Sequence, residues 1–323
     1  MAVVGVGSFG RNHLRVVHQS KHVQLAGVLD LDSDRAAQAA LSYECRVFHS
    51  LDEVAANADA AIVATPTVTH QEVGCRLMEA GLHVLIEKPI APEPSGARAL
   101  IETAARRGRI LQVGHLERFN PAVIALESVV TEPLFFEVHR LSEFSPRSLD
   151  VDVVLDLMIH DIDIVLTLTR ALPEEIRAAG IRILSPNVDI ANVRLQFPGG
   201  AIANLTASRV STERVRKLRL FQPHEYISLD YSRQDAMRFQ VSEAAAAGSP
   251  PSIGFLPLPI EKDEPLRLEL ENFFECIITR RPPRVSGVQA LAALEVASSI
   301  LGKIEENSRL VNQRLEHHGS AEA

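Results

Sequence analysis

"VVGVGSFGRNHL", residues 3–14, joins an apolar run to a turn holding Gly5, Gly7 and Gly10 in the spacing GxGxxG. A strand that feeds such a turn and then a helix is the opening of a βαβ unit. Glycines suit the place because the chain must turn tightly, let backbone N–H groups approach a pyrophosphate, and bring the helix close to the strand. Ser8 and Phe9, inside the turn, are candidates for the same cofactor contact. By itself the motif also fits an ordinary glycine turn. A second signal favours a dinucleotide: Asp30 closes the next apolar run twenty residues after Gly10, where a carboxylate can accept hydrogen bonds from an adenosine ribose. A carboxylate there repels a 2′-phosphate, so NAD is expected in preference to NADP, with Asp32 and Arg35 near enough to alter the local charge.

Outward from the turn, short Val/Ile/Leu/Ala runs alternate with helix-length segments as far as about residue 120. Strands are expected at 2–6, 23–29, 60–64, 83–86 and 110–113, and helices at 11–19, 34–41, 71–80 and 94–107. That rhythm predicts an α/β domain, a doubly wound parallel Rossmann sheet over residues 1–120. Then the period changes. After a strand at 134–141 and a helix come runs such as "ANVRLQF", where Ala191, Val193, Leu195 and Phe197 share one face. These predict an α+β domain over 121–315, built on an open, mainly antiparallel sheet. Helices are expected at 266–278 and 287–305, an irregular excursion at 242–257, and a disordered tail at 316–323. No internal repeat or long linker is visible, so the two domains are expected to share a cleft.

The totals narrow the function. A chain of 323 residues, 46% hydrophobic, supports a sizeable core and about two domains. Its 33 basic and 41 acidic residues give a net charge of -8 without a basic block, so nucleic acid is not an expected partner. Cys45, Cys75 and Cys276 lie far apart with no CxxC, which predicts neither disulfides nor a metal site and fits a reducing cytoplasm. No apolar stretch is read as reaching the roughly 18 residues of a membrane span, and the N-terminus lacks the order of a signal peptide. No membrane partner is expected, and cytoplasmic localisation is. Because the first strand begins almost at Met1, a start codon upstream is also an expectation.

Three further stretches carry candidate chemistry. "ATPTVTH", residues 64–70, follows an apolar strand, which places Thr65, Pro66 and His70 at the carboxyl edge of the sheet as cofactor contacts. The plainer alternative makes Thr69 a helix cap and His70 its first exposed turn. "VLIEKPI", residues 84–90, ends an apolar strand with Glu87 and Lys88, further candidate cofactor contacts, before Pro89, which can fix the backbone through a cis peptide bond. Most lysines at loops are simply solvated; this one lies at the same edge as the glycine turn. "LDLMIHDIDI", residues 155–164, is core-grade helix, yet Asp156, His160 and Asp163 recur at i, i+4 and i+7 on one face. A structural set of buried ion pairs would explain that stripe, and so would a catalytic group.

Together, the GxGxxG, the Glu-Lys-Pro and the Asp-x-x-x-His-x-x-Asp resemble the Gfo/Idh/MocA family of NAD(P)-dependent sugar and cyclitol oxidoreductases, over most of the chain. The resemblance implies that Lys88, Asp156 and His160 form the catalytic group. Leu157 and Ile159 stand where that family often has small residues, a departure that bears on substrate fit and leaves the ionisable positions in place. In such a set an imidazole, with an ordinary pKa of about 6.5, accepts the hydroxyl proton, and the lysine orients the oxygen and stabilises the developing alkoxide. Asp156 positions the histidine or binds a substrate hydroxyl, and Asp163 supports the helix.

"VGHLERFNPAV", residues 113–123, ends the last expected Rossmann strand with His115, Glu117, Arg118 and Asn120. Arg118 and Asn120 are candidates for substrate binding; Asn120 before Pro121 also reads as a helix cap. This stretch and the aspartate-histidine helix resemble the branch of the family that oxidises nucleotide-activated amino sugars. That resemblance implies oxidation of the 3-hydroxyl of UDP-N-acetylglucosamine to a 3-keto UDP-sugar, for a partner aminotransferase serving lipid A-type glycolipids. A diphosphate substrate needs cations, for which Arg118, Arg140, Arg209, Arg214 and Lys217 are candidates. Arg209 is read as the one from the later strands, and "RVRKLRL" fits a solvated strand face equally well. A free sugar or inositol dehydrogenase, or a catalytically silent NAD- and sugar-sensing regulator, stays open as an alternative. The period-two strands leave a second sheet face for water or another subunit, so a homodimer or homotetramer is expected.

Overall fold

β1 (Ala2–Val4) is apolar throughout and at most 3% exposed, as befits a parallel strand covered on both faces. It opens the alternation α1 (Ser8–Gln19), β2 (Gly27–Leu29), α2 (Ser33–Ser42), β3 (Arg46–Val47), α3 (Leu51–Asn57), β4 (Ala60–Val63), α4 (His70–Glu79), β5 (His83–Glu87), α5 (Pro94–Arg107) and β6 (Leu111–Gly114). These six strands pair in parallel in the order β3-β2-β1-β4-β5-β6, so the Rossmann expectation is met. The order reverses between β1 and β4, and open sheets of this kind bind ligands beyond the carboxyl ends of the strands at such a point. β3 and α3, two and seven residues long, are too short for a reading by periodicity. A local signal marks α3 nevertheless. Ser50 Oγ accepts from the Glu53 N–H and the Glu53 carboxylate accepts from the His49 N–H, a reciprocal cap written as Ser-x-x-Glu.

This computed structural model describes residues 1–144, 151–242 and 252–319, with side chains as far as residue 310. The chain forms two compact units, Met1–Phe119 with Asp263–Leu294, and Asn120–Lys262 with Glu295–Ala323. The expected first boundary is at 120. The return of residues 263–294 to the first unit corrects the expected continuous second domain over 121–315. Its cause is packing: Leu266, Leu270, Phe273 and Phe274 of α8 (Pro265–Thr279) bury in one cluster with Met1, Val3, Leu14 and Val17. Each such buried side chain contributes roughly 1.5–3 kcal/mol.

In the second unit, α6 (Pro121–Val129) leads to β7 (Phe135–Glu143), a π turn at Val154–Met158 and α7 (Ile159–Thr169). Seven strands follow: β8 (Glu175–Ile181), β9 (Ile190–Gln196), β10 (Ile202–Ser211), β11 (Val215–Gln222), β12 (Glu225–Asp230), β13 (Asp235–Ser242) and β14 (Ser252–Pro257). They form one sheet in the order β14-β13-β12-β11-β7-β10-β9-β8, antiparallel throughout except for the parallel pair β7 and β10. Ala191, Val193 and Leu195 are fully buried while Asn192, Arg194 and Gln196 face outward, the alternation expected of β9. On that outward face Phe135, Phe221, Tyr226, Phe239 and Phe255 stand opposite one another on five neighbouring strands, with ring centroids 4.8–5.8 Å apart.

The irregular excursion expected over 242–257 is corrected at its end, where β14 pairs with β13; residues 243–251 lie outside the described residues. α9 (Gly287–Gly319) continues through the first part of the expected tail, and residues 320–323 lie outside the described residues. Over Gly287–Leu310 it is long and apolar enough, by length and composition, to cross a membrane, where no such stretch was expected. Ala290, Ala293, Leu294, Ala297, Ile300 and Ile304 are buried at helical spacing, which accounts for that composition as a core helix.

Candidate functional site

The glycine turn is built by collisions that only glycine avoids. Gly5 has a φ of +88°, and a Cβ there would stand 2.6 Å from the Ala64 carbonyl oxygen. At Gly10 a Cβ would lie 1.9 Å from the Gly5 oxygen, so a side chain would lift α1 away from the strand. Gly7 differs, because a Cβ there meets nothing within 4 Å. No protein atom requires glycine at that point, which leaves room beside the turn for an approaching ligand. Gly7 is the N-cap of α1, no side chain caps the first turn, and Ser8 and Phe9 are exposed. An uncapped helix N-terminus offers N–H groups and the positive end of the helix dipole to an anion. The turn therefore fits a dinucleotide pyrophosphate.

Asp30 follows β2. Its carboxylate accepts from the Val6 N–H at 2.7 Å and the Asp32 N–H at 2.9 Å. Arg35 lies 3.5 Å from Asp30 and 3.1 Å from Asp32, so one guanidinium faces two carboxylates and the corner stays net negative. Thr65 and Pro66 follow β4, with the Thr69 hydroxyl 2.8 Å from both the Thr65 Oγ1 and the Pro66 carbonyl. His70 is neither the expected cofactor contact nor an exposed helix start. It is 1% exposed, and its Nδ1 and Nε2 lie 2.9 Å from the carbonyls of Pro89 and Thr65. The ring clips the loop after β4 to the loop after β5. Burial pushes its pKa down, against the two carbonyls that favour protonation.

Lys88 follows β5, half-buried, with a cis peptide bond to Pro89 as the sequence suggested. Glu87 contributes its carboxylate to a cluster that sequence reasoning missed. His13 Nε2 is 2.6 Å from Glu87 Oε1, and Glu269 of α8 completes a trio whose ligating atoms all lie within 4.8 Å of one another. Burial raises Glu87, but the hydrogen bond and charge of His13 and then the charge of Lys88 outweigh it and hold the carboxyl below its usual range. Burial, reinforced by the charge of Glu87, pushes Glu269 well above that range. His13 sits three positions after Gly10, on the inward face of α1, which is the one local hint; nothing near Glu269 in the sequence announces a partner at Glu87.

In the second unit Asp156 lies within the π turn that precedes His160: the Ile159 N–H donates to the Val154 carbonyl, five residues back. Such turns are rare and concentrate at functional sites. Asp156 and His160 are half-buried, and Asp163 is 2% exposed. Asp161, which the sequence did not single out, accepts from Arg140 Nε at 2.7 Å and Nη2 at 2.8 Å, with both side chains 2% exposed. Arg140 also lies over the Tyr231 ring, 5.0 Å from its centroid. This corrects Arg140 as a phosphate candidate, since its charge is already matched inside the core.

Arg118 is 3% exposed. Asn120 caps α6, accepting from the Ala122 N–H at 3.1 Å and donating to the Tyr231 carbonyl at 3.0 Å, with Pro121 at the first helical position. Arg209 is 6% exposed; it donates to the carbonyls of Val151 and Val188 and lies 3.5 Å from Asp189. Arg214 and Lys217 are exposed. Each unit thus brings part of the candidate set together: the glycine turn, Asp30, Thr65, Pro66 and Lys88 at the carboxyl ends of the strands in the first, and Asp156 in the π turn with His160 at the start of α7 in the second.

Comparison with known proteins gives the same grouping. Residues 1–115 match the oxidoreductase family with an NAD-binding Rossmann fold, Gfo/Idh/MocA, and residues 123–222 match the Gfo/Idh/MocA C-terminal domain. A UDP-N-acetylglucosamine 3-dehydrogenase from Acidithiobacillus ferrooxidans is 37% identical over 304 residues, covering 94% of this chain and 96% of that protein. A solved structure of that enzyme superimposes with a TM-score of 0.89, covering 94% of this chain and 97% of its own. An inositol 2-dehydrogenase from Saccharopolyspora erythraea is 32% identical over 177 residues, covering 51% of this chain and 52% of that protein. A likeness of this extent, over both the dinucleotide-binding unit and the sheet unit, makes the chain a member of the Gfo/Idh/MocA oxidoreductase family.

Proposed function

We propose that this protein oxidises a secondary alcohol of a sugar with NAD, and that its substrate is the 3-hydroxyl of UDP-N-acetylglucosamine. What carries the reading is the likeness to the Acidithiobacillus ferrooxidans enzyme along nearly the whole of both chains, whereas the inositol dehydrogenase from Saccharopolyspora erythraea matches only about half. Lys88, Asp156 and His160 support it by their residue types. The glycine turn, with Asp30, Thr65 and Pro66, would hold NAD, which supplies the hydride acceptor when bound. The net negative corner of Asp30, Asp32 and Arg35 disfavours a 2′-phosphate and supports NAD over NADP.

The roles follow from ordinary acid–base chemistry. The His160 imidazole takes the hydroxyl proton, the Lys88 ammonium orients the same oxygen and stabilises the negative charge that develops on it, and Asp156 positions the imidazole or binds a substrate hydroxyl. Arg118 is the candidate for the diphosphate; Asn120 is committed to the α6 cap and the Tyr231 carbonyl, and Arg209 to Asp189 and two carbonyls. The product, a 3-keto UDP-sugar, is a substrate for an aminotransferase, which suits amino-sugar synthesis of the lipid A type in the cytoplasm. The exposed aromatic row on the second sheet supports assembly of copies face to face, as a homodimer or homotetramer.

The test is NADH formation, followed by absorbance, with NAD and a panel of UDP-sugars, free hexoses and inositols. Reduction with UDP-N-acetylglucosamine alone is the expected result. Reduction with inositol or a free hexose instead would replace the substrate, and NAD binding without turnover on any compound would make the protein a sugar-responsive regulator.

A further inference from the structure

His13 reaches out of α1, Glu87 from the end of β5 and Glu269 from α8, and each offers an atom within 4.8 Å of the other two. His13 and Glu269 are 0% exposed and the Glu87 side chain 12%. Both carboxyl oxygens of Glu269, and Nδ1 of His13, are buried without a hydrogen-bond partner. Room for the cluster is made by Gly114, opposite Glu87 on β6, where a Cβ would stand 2.9 Å from Glu87 Oε2. That same oxygen lies 3.3 Å from the Lys88 backbone nitrogen. The trio therefore reaches, through Glu87, the backbone of the candidate catalytic lysine.

Two carboxyl groups this close, in a dry interior, do not both ionise. His13 protonated on Nε2 donates to Glu87, which keeps the negative charge, and a neutral Glu269 closes the cluster without adding a second one. A divalent cation could also take three such ligands. Against it, the 2.6 Å between His13 Nε2 and Glu87 Oε1 is shorter than the ligand separation in a tetrahedral site, about 3.3 Å for bonds of about 2.0–2.1 Å. A metal-bound imidazole also gives its other nitrogen a hydrogen bond, which His13 Nδ1 lacks.

We propose that Glu269 is a positioning residue for Lys88: held against Glu87 and His13, its neutral carboxyl keeps Glu87 the one anion of the cluster, and Glu87 fixes the backbone and charge environment of Lys88. This inference rests on the reading of Lys88 as a catalytic group. Its tests include readouts that need no turnover.

Infrared spectra of the full-length protein at neutral pH should contain the carbonyl stretch of a protonated carboxyl that is lost in Glu269→Gln. Acylation of Lys88, followed by mass spectrometry, should change in rate at least about threefold in Glu269→Ala relative to the other lysines, and return to within about twofold of wild type in Glu269→Gln, because amine reactivity follows charge environment. With NAD and UDP-N-acetylglucosamine, Glu269→Ala should lose at least about tenfold in kcat with the KM for NAD within about threefold, and Glu269→Gln should rescue it. If Glu269→Ala does not fold, Glu269→Met, of similar volume but without a polar group, takes its place. Absence of the infrared band, or unchanged Lys88 labelling, overturns the proposal. So does a stoichiometric metal found by elemental analysis in wild type and lost in Glu269→Gln. A wild-type protein inactive on every sugar sinks the substrate reading alone, and the infrared and labelling results still decide the role of Glu269.

Discussion

In the proposed reaction an imidazole takes the hydroxyl proton and an ammonium stabilises the charge left on the oxygen, so removing either should slow the chemistry and spare the binding. Lys88→Ala and His160→Ala are each expected to lower kcat by about 10²-fold or more, with NAD affinity by titration within about threefold of wild type. Turnover near the wild-type level in either variant would remove that residue from the mechanism. Arg140 and Asp161 illustrate the opposite duty. Two fully desolvated charges in bidentate contact gain little over an apolar pair, yet removal of one partner strands the other. Asp161→Ala should cost about 3 to 5 kcal/mol in chemical denaturation. Neither partner could be matched in the sequence, because Arg140 lies on β7 and Asp161 on α7 and each is ordinary for its element.

At the scale of the element, the start of α1 separates packing from ligand binding. Gly10→Ala brings a methyl into the Gly5 carbonyl and should lower the thermal midpoint markedly. Gly7→Ala meets no protein atom, and the change at a helix N-cap should cost only about 1 kcal/mol. The same variant places a methyl where a pyrophosphate would approach, so NAD affinity should fall at least about tenfold, measured by calorimetry. Equal damage to stability and affinity at Gly7 would contradict this division. α8 gives a test in pH. Burial and the charge of Glu87 raise the Glu269 carboxyl in the folded state, beside His13, whereas in the unfolded chain it titrates at about 4.3. Its stabilising contribution is whole below that value. As pH rises from there through the folded value, the unfolded chain releases a proton that the folded chain retains, and stability declines. Glu269→Gln lacks this loss, so the midpoint of the variant relative to wild type should rise between acid and neutral pH; a difference independent of pH would contradict the neutral carboxyl.

For the molecule as a whole, the second sheet presents a row of aromatic rings to solvent, with Phe255 64% and Phe221 38% exposed. A copy of the same face would bury them. Phe239→Glu, in the middle of the row, should shift the mass by light scattering toward the monomer while NAD binding persists; an unchanged mass would place the assembly surface elsewhere. Much at this scale was written plainly in the chain. The glycine spacing, the apolar strands between helix-length segments and the later change to period two determined the Rossmann sheet and the open sheet, and the likeness of three short motifs to a known family pointed to the family. Such patterns are local, and a local pattern states which face of an element is buried. It does not state what covers that face. Only the tertiary structure decided that α8 returns to the first core, that Glu269 meets Glu87 and His13, that Arg140 is neutralised by Asp161, and that Asp156 lies in a π turn just before His160. Each of these depends on side chains from separate elements excluding water together, a condition that no single stretch of sequence contains.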